Sequence, residues 1–116
     1  MNNIIEKKSF DFAIRIVKLT KHLKESKNEY VLSKQLLRSG TSIGANIAEA
    51  QQAQSKADFI SKIAISLKEA AETSYWLRLL NATQYLTEIE TNSLLADCKE
   101  LEKILTSILK TSKAQV

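Results

Sequence analysis

The chain has 116 residues, 44% of them hydrophobic and 26% charged, with no proline and only two glycines. So few turn-forming residues argue against an all-β fold of many short strands, and the length suits a single domain, residues 1–116, of long helices with short connections. Seventeen Lys and Arg against thirteen Asp and Glu leave a net charge of +4, a mild excess that fits contact with nucleic acid or an anionic surface without requiring it.

A first helix is predicted from about Ser9 to Lys27. At 100° per residue, Phe12, Ala13, Ile16, Val17, Leu19, Thr20 and Leu23 share one broad side, and Lys7, Lys8, Asp11, Arg15, Lys18 and Lys21 share the other. Asn28 is the expected N-cap of a second helix, whose apolar face runs through Leu32, Leu36, Leu37, Gly40, Ile43, Gly44, Ile47 and Ala48 to about Ala53. A third helix starts at Ser55-Lys56-Ala57-Asp58, a capping box with Asp in the usual Glu position. It continues with Phe59, Ile60, Ile63, Ala64, Leu67, Ala70, Ala71, Ser74 and Leu77, and residues 81–86 read as a connection. Thr87-Glu88-Ile89-Glu90 is a second capping box. Leu94, Cys98, Leu101, Leu105 and Ile108 follow at spacings of 4, 3, 4 and 3, the seam of a left-handed bundle. Together these elements predict an all-α fold, an antiparallel up-down-up-down left-handed four-helix bundle without internal repeats.

Rare residues limit the chemistry. A di-iron bundle needs Glu-x-x-His on two helices, and this chain has one histidine, His22, with no glutamate three residues before it. One histidine and one cysteine also leave a zinc site short of ligands, so no metal and no other cofactor is expected. Cys98 falls on the core seam, where a thiol packs as a small hydrophobe, and a single cysteine forms no intramolecular disulfide. Gly40 and Gly44 make a G-x-x-x-G inside a helical pattern rather than after a strand, which points to close helix packing and not to a phosphate loop. No catalytic constellation emerges, and no enzyme is expected. The first eight residues hold no long apolar run for a signal peptide and no window approaches a membrane span, so the expected location is cytoplasmic.

Three surfaces stand out. Gln35, Arg38, Ser42, Asn46 and Glu49 follow one another at spacings of 3, 4, 4 and 3, a polar line beside the apolar face of the second helix. A network that fixes helix register is favoured over a ligand site, with Glu69 or Glu72 as a bidentate partner for Arg38. Ile65, Trp76 and Leu79 lie opposite the expected core face of the third helix. They mark either a subunit interface or a helix rotated so that Trp76 closes the end of the bundle. The first 27 residues carry seven Lys and Arg against three acids, and Lys99, Lys103 and Lys110 share an outer line of the fourth helix. Because the first and fourth helices are neighbours in such a bundle, Lys7, Arg15, Lys18, Lys21, Lys99, Lys103 and Lys110 are expected to merge into one surface that tracks a phosphate backbone. Asp97, Glu100 and Glu102 interrupt that surface, and no aromatic platform accompanies it.

The run from Leu36 to Ala50, together with Ser55 to Ile60 and Leu67 to Leu77, resembles the bacterial four-helix bundle proteins named 23S rRNA intervening-sequence, or S23, proteins. Where many relatives have glycine and arginine just after the Asn-Ile-x-Glu motif, Ala50 and Gln52 stand here. The resemblance implies a homopentamer of left-handed four-helix bundles around a central pore. Similar accessory proteins of diversity-generating retroelements bind nucleic acid and a reverse transcriptase through basic surfaces, so RNA, DNA or a reverse transcriptase is implied as a partner. Arg38, Ser42, Asn46 and Glu49 carry over as structural or interface elements. The expected function is a non-enzymatic oligomeric bundle that binds RNA or DNA through its basic surfaces. The alternative is a protein-interaction scaffold or reverse-transcriptase accessory subunit that does not itself read nucleic acid.

Overall fold

The computed structural model describes residues 3–114, and among these the four apolar periodicities become four α-helices and no strand. They are α1 (Asn3–Lys27), α2 (Leu32–Ala50), α3 (Lys56–Ala82) and α4 (Glu88–Ala114). Helix α1 starts well before Ser9 because Ile5 continues its apolar face and is fully buried.

Local side-chain chemistry sets the helix boundaries. Asn28 takes a left-handed backbone, φ 54°, and the Glu29 N–H turns back to the Leu23 carbonyl at 3.0 Å. Asparagine tolerates this conformation better than most residues, so Asn28 terminates α1 and does not cap α2. The cap of α2 is the buried carboxylate of Glu29. It accepts the backbone N–H groups of Val31 at 3.3 Å, Leu32 at 3.1 Å and Ser33 at 2.7 Å, three of the donors that a helix start leaves without a partner. At α3, Ser55 accepts the Asp58 N–H at 3.0 Å. The end of α3 has Gln84 in the left-handed region, φ 70°, with Tyr85 N–H to the Leu80 carbonyl and Gln84 N–H to the Asn81 carbonyl. This is the Schellman arrangement. Thr87 and Glu90 then cap α4 reciprocally, each backbone N–H donating to the other side chain at 3.1 Å.

Contacts across the helix seams run in opposite senses. Gly40 and Gly44 of α2 face Ile16 and Ser9 of α1. Arg38, Ser39, Ile43 and Glu49 of α2 meet Glu69, Thr73, Ser66 and Lys62 of α3. Lys8 and Arg15 of α1 meet Glu100 and Asp97 of α4. Each of these pairs of helices is therefore antiparallel, in a rod of 47 × 21 × 20 Å, with α1 and α4 the most sparsely packed neighbours.

The core holds Ile5, Phe12, Ile16, Leu23, Leu36, Ile43, Ile47, Ile63, Leu77, Leu80, Leu101 and Leu105. Val17, Ala48, Ala64 and Ala71, expected on apolar faces, are exposed. Hydroxyl residues take buried seam positions instead: Ser9, Thr20, Ser33, Ser39, Ser66, Thr73 and Thr91. Most of these hydroxyls bond a carbonyl of their own helix, as Thr20 does to Val17 at 3.1 Å and Thr91 to Thr87 at 2.8 Å. They are small enough to let helices approach and need no partner from solvent.

Candidate functional site

Two members of the polar line of α2, Arg38 and Glu49, reach α3. One guanidinium nitrogen of Arg38 donates to Glu69 at 2.8 Å and the other reaches Glu72, so one cation bridges two carboxylates a turn apart. The bond to Glu69, followed by that to Glu72, raises the pKa of Arg38 above its ordinary value. Glu72 is held below the ordinary carboxylate range by the Trp76 indole N–H, which donates to it at 3.0 Å, and then by Arg38. Glu49 pairs with Lys62 at 3.2 Å. Ser42 and Asn46 turn inward on their own helix, to the carbonyls of Arg38 and Ser42, and Gln35 is exposed. The buried stitching between the two helices comes from residues outside this line. The Thr73 hydroxyl lies 3.0 Å from that of Ser39, and Ser66 donates to the Ile43 carbonyl at 2.8 Å. Ser66 and Thr73 are seven residues apart, in step with Ile63, Ala70 and Leu77, and that phase is the sequence signal for them.

The basic residues divide into neutralised and free groups. Lys7 pairs with Asp11 of its own helix at 2.8 Å. Arg15 donates to Asp97 at 2.6 Å and to Ser93 at 3.0 Å, and Lys8 meets Glu100 at 3.0 Å. Ion pairs thus cross the α1–α4 seam at Asp97 and Glu100, two of the three acids that interrupt the basic surface in the sequence. Lys18 and Lys21 of α1 and Lys99, Lys103 and Lys110 of α4 are exposed and have no carboxylate partner among the described residues. In the register set by Lys8–Glu100 and Arg15–Asp97, the two α1 lysines lie beyond these pairs toward one end of the rod, while Lys103 and Lys110 lie toward the other.

Of the apolar residues assigned to the outer face of α3, Ile65 is exposed and Trp76 and Leu79 are half-buried. Trp76 leans on the core, with its ring edge-on to Tyr75 at 5.1 Å between centroids. Larger exposed apolar groups are found on α1, where Phe10 is 68% and Val17 48% exposed. Phe10 and Ala13 line a groove of about 700 Å³ with Gly44, Ala45 and Ala48 of α2. The sequence signal is the 4, 3 spacing of Phe10, Ile14 and Val17, a second apolar stripe on the same helix.

Reactive chemistry has little material here. The Cys98 thiol is buried 3.2 Å from the Ala70 carbonyl, and burial, with help from Glu102 and Asp97, pushes its pKa up to about 12. His22 is exposed on α1, apart from that thiol. Among the described residues no three His, Cys, Asp or Glu side chains are grouped to hold a metal ion, and no helix is long and apolar enough to cross a membrane.

A four-helix molecule whose buried polar side chains are all paired among the described residues, and whose outer faces carry unmatched charge and apolar surface, belongs to the class of all-α helical bundles. The chain is a member of the 23S rRNA-intervening sequence protein family, whose model matches residues 1–107. It is similar to the crystal structure of a protein with unknown function from the S23 ribosomal protein family of Bacteroides thetaiotaomicron VPI-5482. The identity is 56%, over 93% of this chain and 96% of that one, with a TM-score of 0.92. Comparison with curated proteins gives no match.

Proposed function

We propose that the protein is a non-enzymatic, self-associating bundle of the cytoplasm that binds RNA or DNA through phosphate contacts. The observation that carries this is the set Lys18, Lys21, Lys99, Lys103 and Lys110, exposed on α1 and α4 and free of carboxylate partners among the described residues. A lysine with no intramolecular partner keeps its whole charge for an external anion, and groups separated along a 47 Å rod suit an extended polyanion better than a small ligand. Membership in a family named for rRNA intervening sequences supports RNA as the first ligand to try.

The test is fluorescence anisotropy of a structured RNA and of duplex DNA at low and at physiological salt. Affinity is expected to fall steeply with salt, and Lys99→Ala, Lys103→Ala and Lys110→Ala together to flatten the dependence by about one unit of slope per lysine. Absence of any binding at micromolar protein and low salt would refute the proposal.

Self-association, as a pentamer by family resemblance, is proposed to use the stripe of Ile65, Trp76 and Leu79. A second reading, a scaffold for a partner such as a reverse transcriptase, is favoured by the apolar groove between Phe10 and Ala48. Sedimentation separates these faces: Trp76→Ala dissociates the assembly if the α3 stripe holds it, whereas Phe10→Glu leaves the assembly intact and abolishes capture of the partner.

A further inference from the structure

At the end of the rod where α1 finishes and α4 begins, two clefts meet. The first, of about 380 Å³, is lined by His22, Lys27, Asn81, Gln84, Tyr85 and Glu90 among others. The second shares His22 and Glu90 with it and continues along the α1–α4 seam to Lys18. Among the described residues Glu90 supplies the only carboxylate lining either cleft, and its Oε1 accepts from the backbone N–H and hydroxyl of Thr87. His22, Lys27 and Lys18 are exposed; the Glu90 charge attracts His22 and Lys27, but none of the three lies within ion-pair distance of a carboxylate among the described residues.

The rest of the lining is neutral and directional. Asn81 donates its amide to the Leu86 carbonyl at 3.1 Å, which orients the group and leaves its oxygen open. The Gln84 amide has no partner, and its residue sits at φ 70°, a conformation in which glycine would be free of strain. The Schellman turn that ends α3 thus sets this long hydrogen-bonding side chain at the cleft with its amide unpaired. Tyr85 packs partly against the core and also borders the cleft.

An aromatic ring, two amides and flanking cations are the parts with which proteins hold an unstacked base and its phosphates. A bare anion would use only the cations, and a duplex hides the stacked faces and Watson–Crick edges of its bases. We infer that this cleft takes a single unpaired nucleotide of a nucleic-acid strand, with the base against Tyr85, its edge on Asn81 and Gln84, and its phosphates toward Lys27, His22 and Lys18. The inference rests on the nucleic-acid binding proposed above and narrows it to strands with an unpaired end or bulge.

Two fluorescent RNA hairpins test it, one blunt and one with a short 3′ overhang, titrated at fixed low salt. The full chain is expected to bind the overhang hairpin about tenfold more tightly, the scale of one stacked base. Tyr85→Leu, which keeps apolar packing, and Gln84→Gly, which removes the amide and relaxes the backbone, should each reduce this preference severalfold and leave blunt-hairpin affinity unchanged. A higher melting temperature for Gln84→Gly separates its loss of preference from misfolding. Equal affinity for the two hairpins, or a preference intact in both variants, overturns this inference and leaves phosphate binding standing. Binding to neither hairpin overturns both.

Discussion

Gly40 lies against Ile16 so closely that a β-carbon on the glycine would be 2.8 Å from both γ-carbons of the isoleucine. Those carbons flank the branch point of a fully buried side chain and do not swing clear without moving α1. Gly44, one turn later, is looser, with a β-carbon 3.3 Å from the Ser9 hydroxyl. Overpacking costs about 1–3 kcal/mol, while alanine gains about 1 kcal/mol in helix propensity. Gly40→Ala is therefore expected to lower unfolding stability by about 1 kcal/mol and Gly44→Ala to stay within about 0.5 kcal/mol of the parent, as read by urea denaturation.

Arg38 is the hinge of the α2–α3 polar seam. Arg38→Ala leaves Glu69, 12% exposed in its side chain, without a cation and is expected to cost about 2 kcal/mol. Arg38→Lys recovers only part of this, since an ammonium cannot fork between two carboxylates. Glu49→Gln, at the more exposed pair with Lys62, is expected to change stability by less than about 0.5 kcal/mol. A seam in which Arg38→Ala is as harmless as Glu49→Gln would contradict the bridging role.

Glu29→Ala removes the acceptor of three N–H groups at the start of α2. The expected loss is about 1–2 kcal/mol, with hydrogen exchange accelerated first at Leu32 and Ser33.

Acid should weaken the fold through Glu72 and Glu90. Both have pKa values below the ordinary 4.5, Glu72 through the Trp76 and Arg38 hydrogen bonds and Glu90 chiefly through the backbone N–H of Thr87. A group whose folded pKa is depressed binds fewer protons than in the unfolded chain. Its stabilisation is thus complete above the unfolded value and is lost as pH falls through the folded one. Melting temperature is expected to decline below about pH 4.5, and less steeply in Glu72→Gln.

Cys98 should be inert in the native protein. With its thiol buried and its pKa near 12, a disulfide reagent at pH 8 is expected to label it only after denaturant is added. Prompt labelling of the folded chain would contradict this burial.

Local side-chain chemistry was the most legible part of the fold. The caps at Ser55 and Thr87 depend on residues three positions apart: the box at Thr87 and Glu90 forms in both directions, whereas at Ser55 only the bond from the Asp58 N–H to the serine side chain forms. The seam of Leu94, Cys98, Leu101 and Leu105 is buried in phase, and Arg38 meets both carboxylates offered to it. At the turn after α1 the cap expected at Asn28 does not form because asparagine serves two purposes: its side chain suits a cap, and its backbone suits the left-handed region that Asn28 adopts. The phase of α1 was also ambiguous. Apolar residues cover more than half of its circumference, and only packing against Gly40 and Gly44 decides that Ile16 is inside and Val17 outside. The division of the cationic surface depends on pairs such as Arg15 with Asp97, separated by 82 positions, which no local pattern reveals.

The thin α1–α4 seam also bears on how the molecule comes together. Three of its four helix contacts join elements consecutive in the chain, a topology of short loops that favours rapid folding. The fourth must close nearly the whole polypeptide on itself, and beside its apolar packing it carries the ion pairs Lys8–Glu100 and Arg15–Asp97. Ring closure is thus expected to be the last event in folding and the first to reverse. Being held in part by exposed charges, it should be more sensitive to ionic strength than the other seams, a difference that native-state hydrogen exchange in α1 at low and high salt would display.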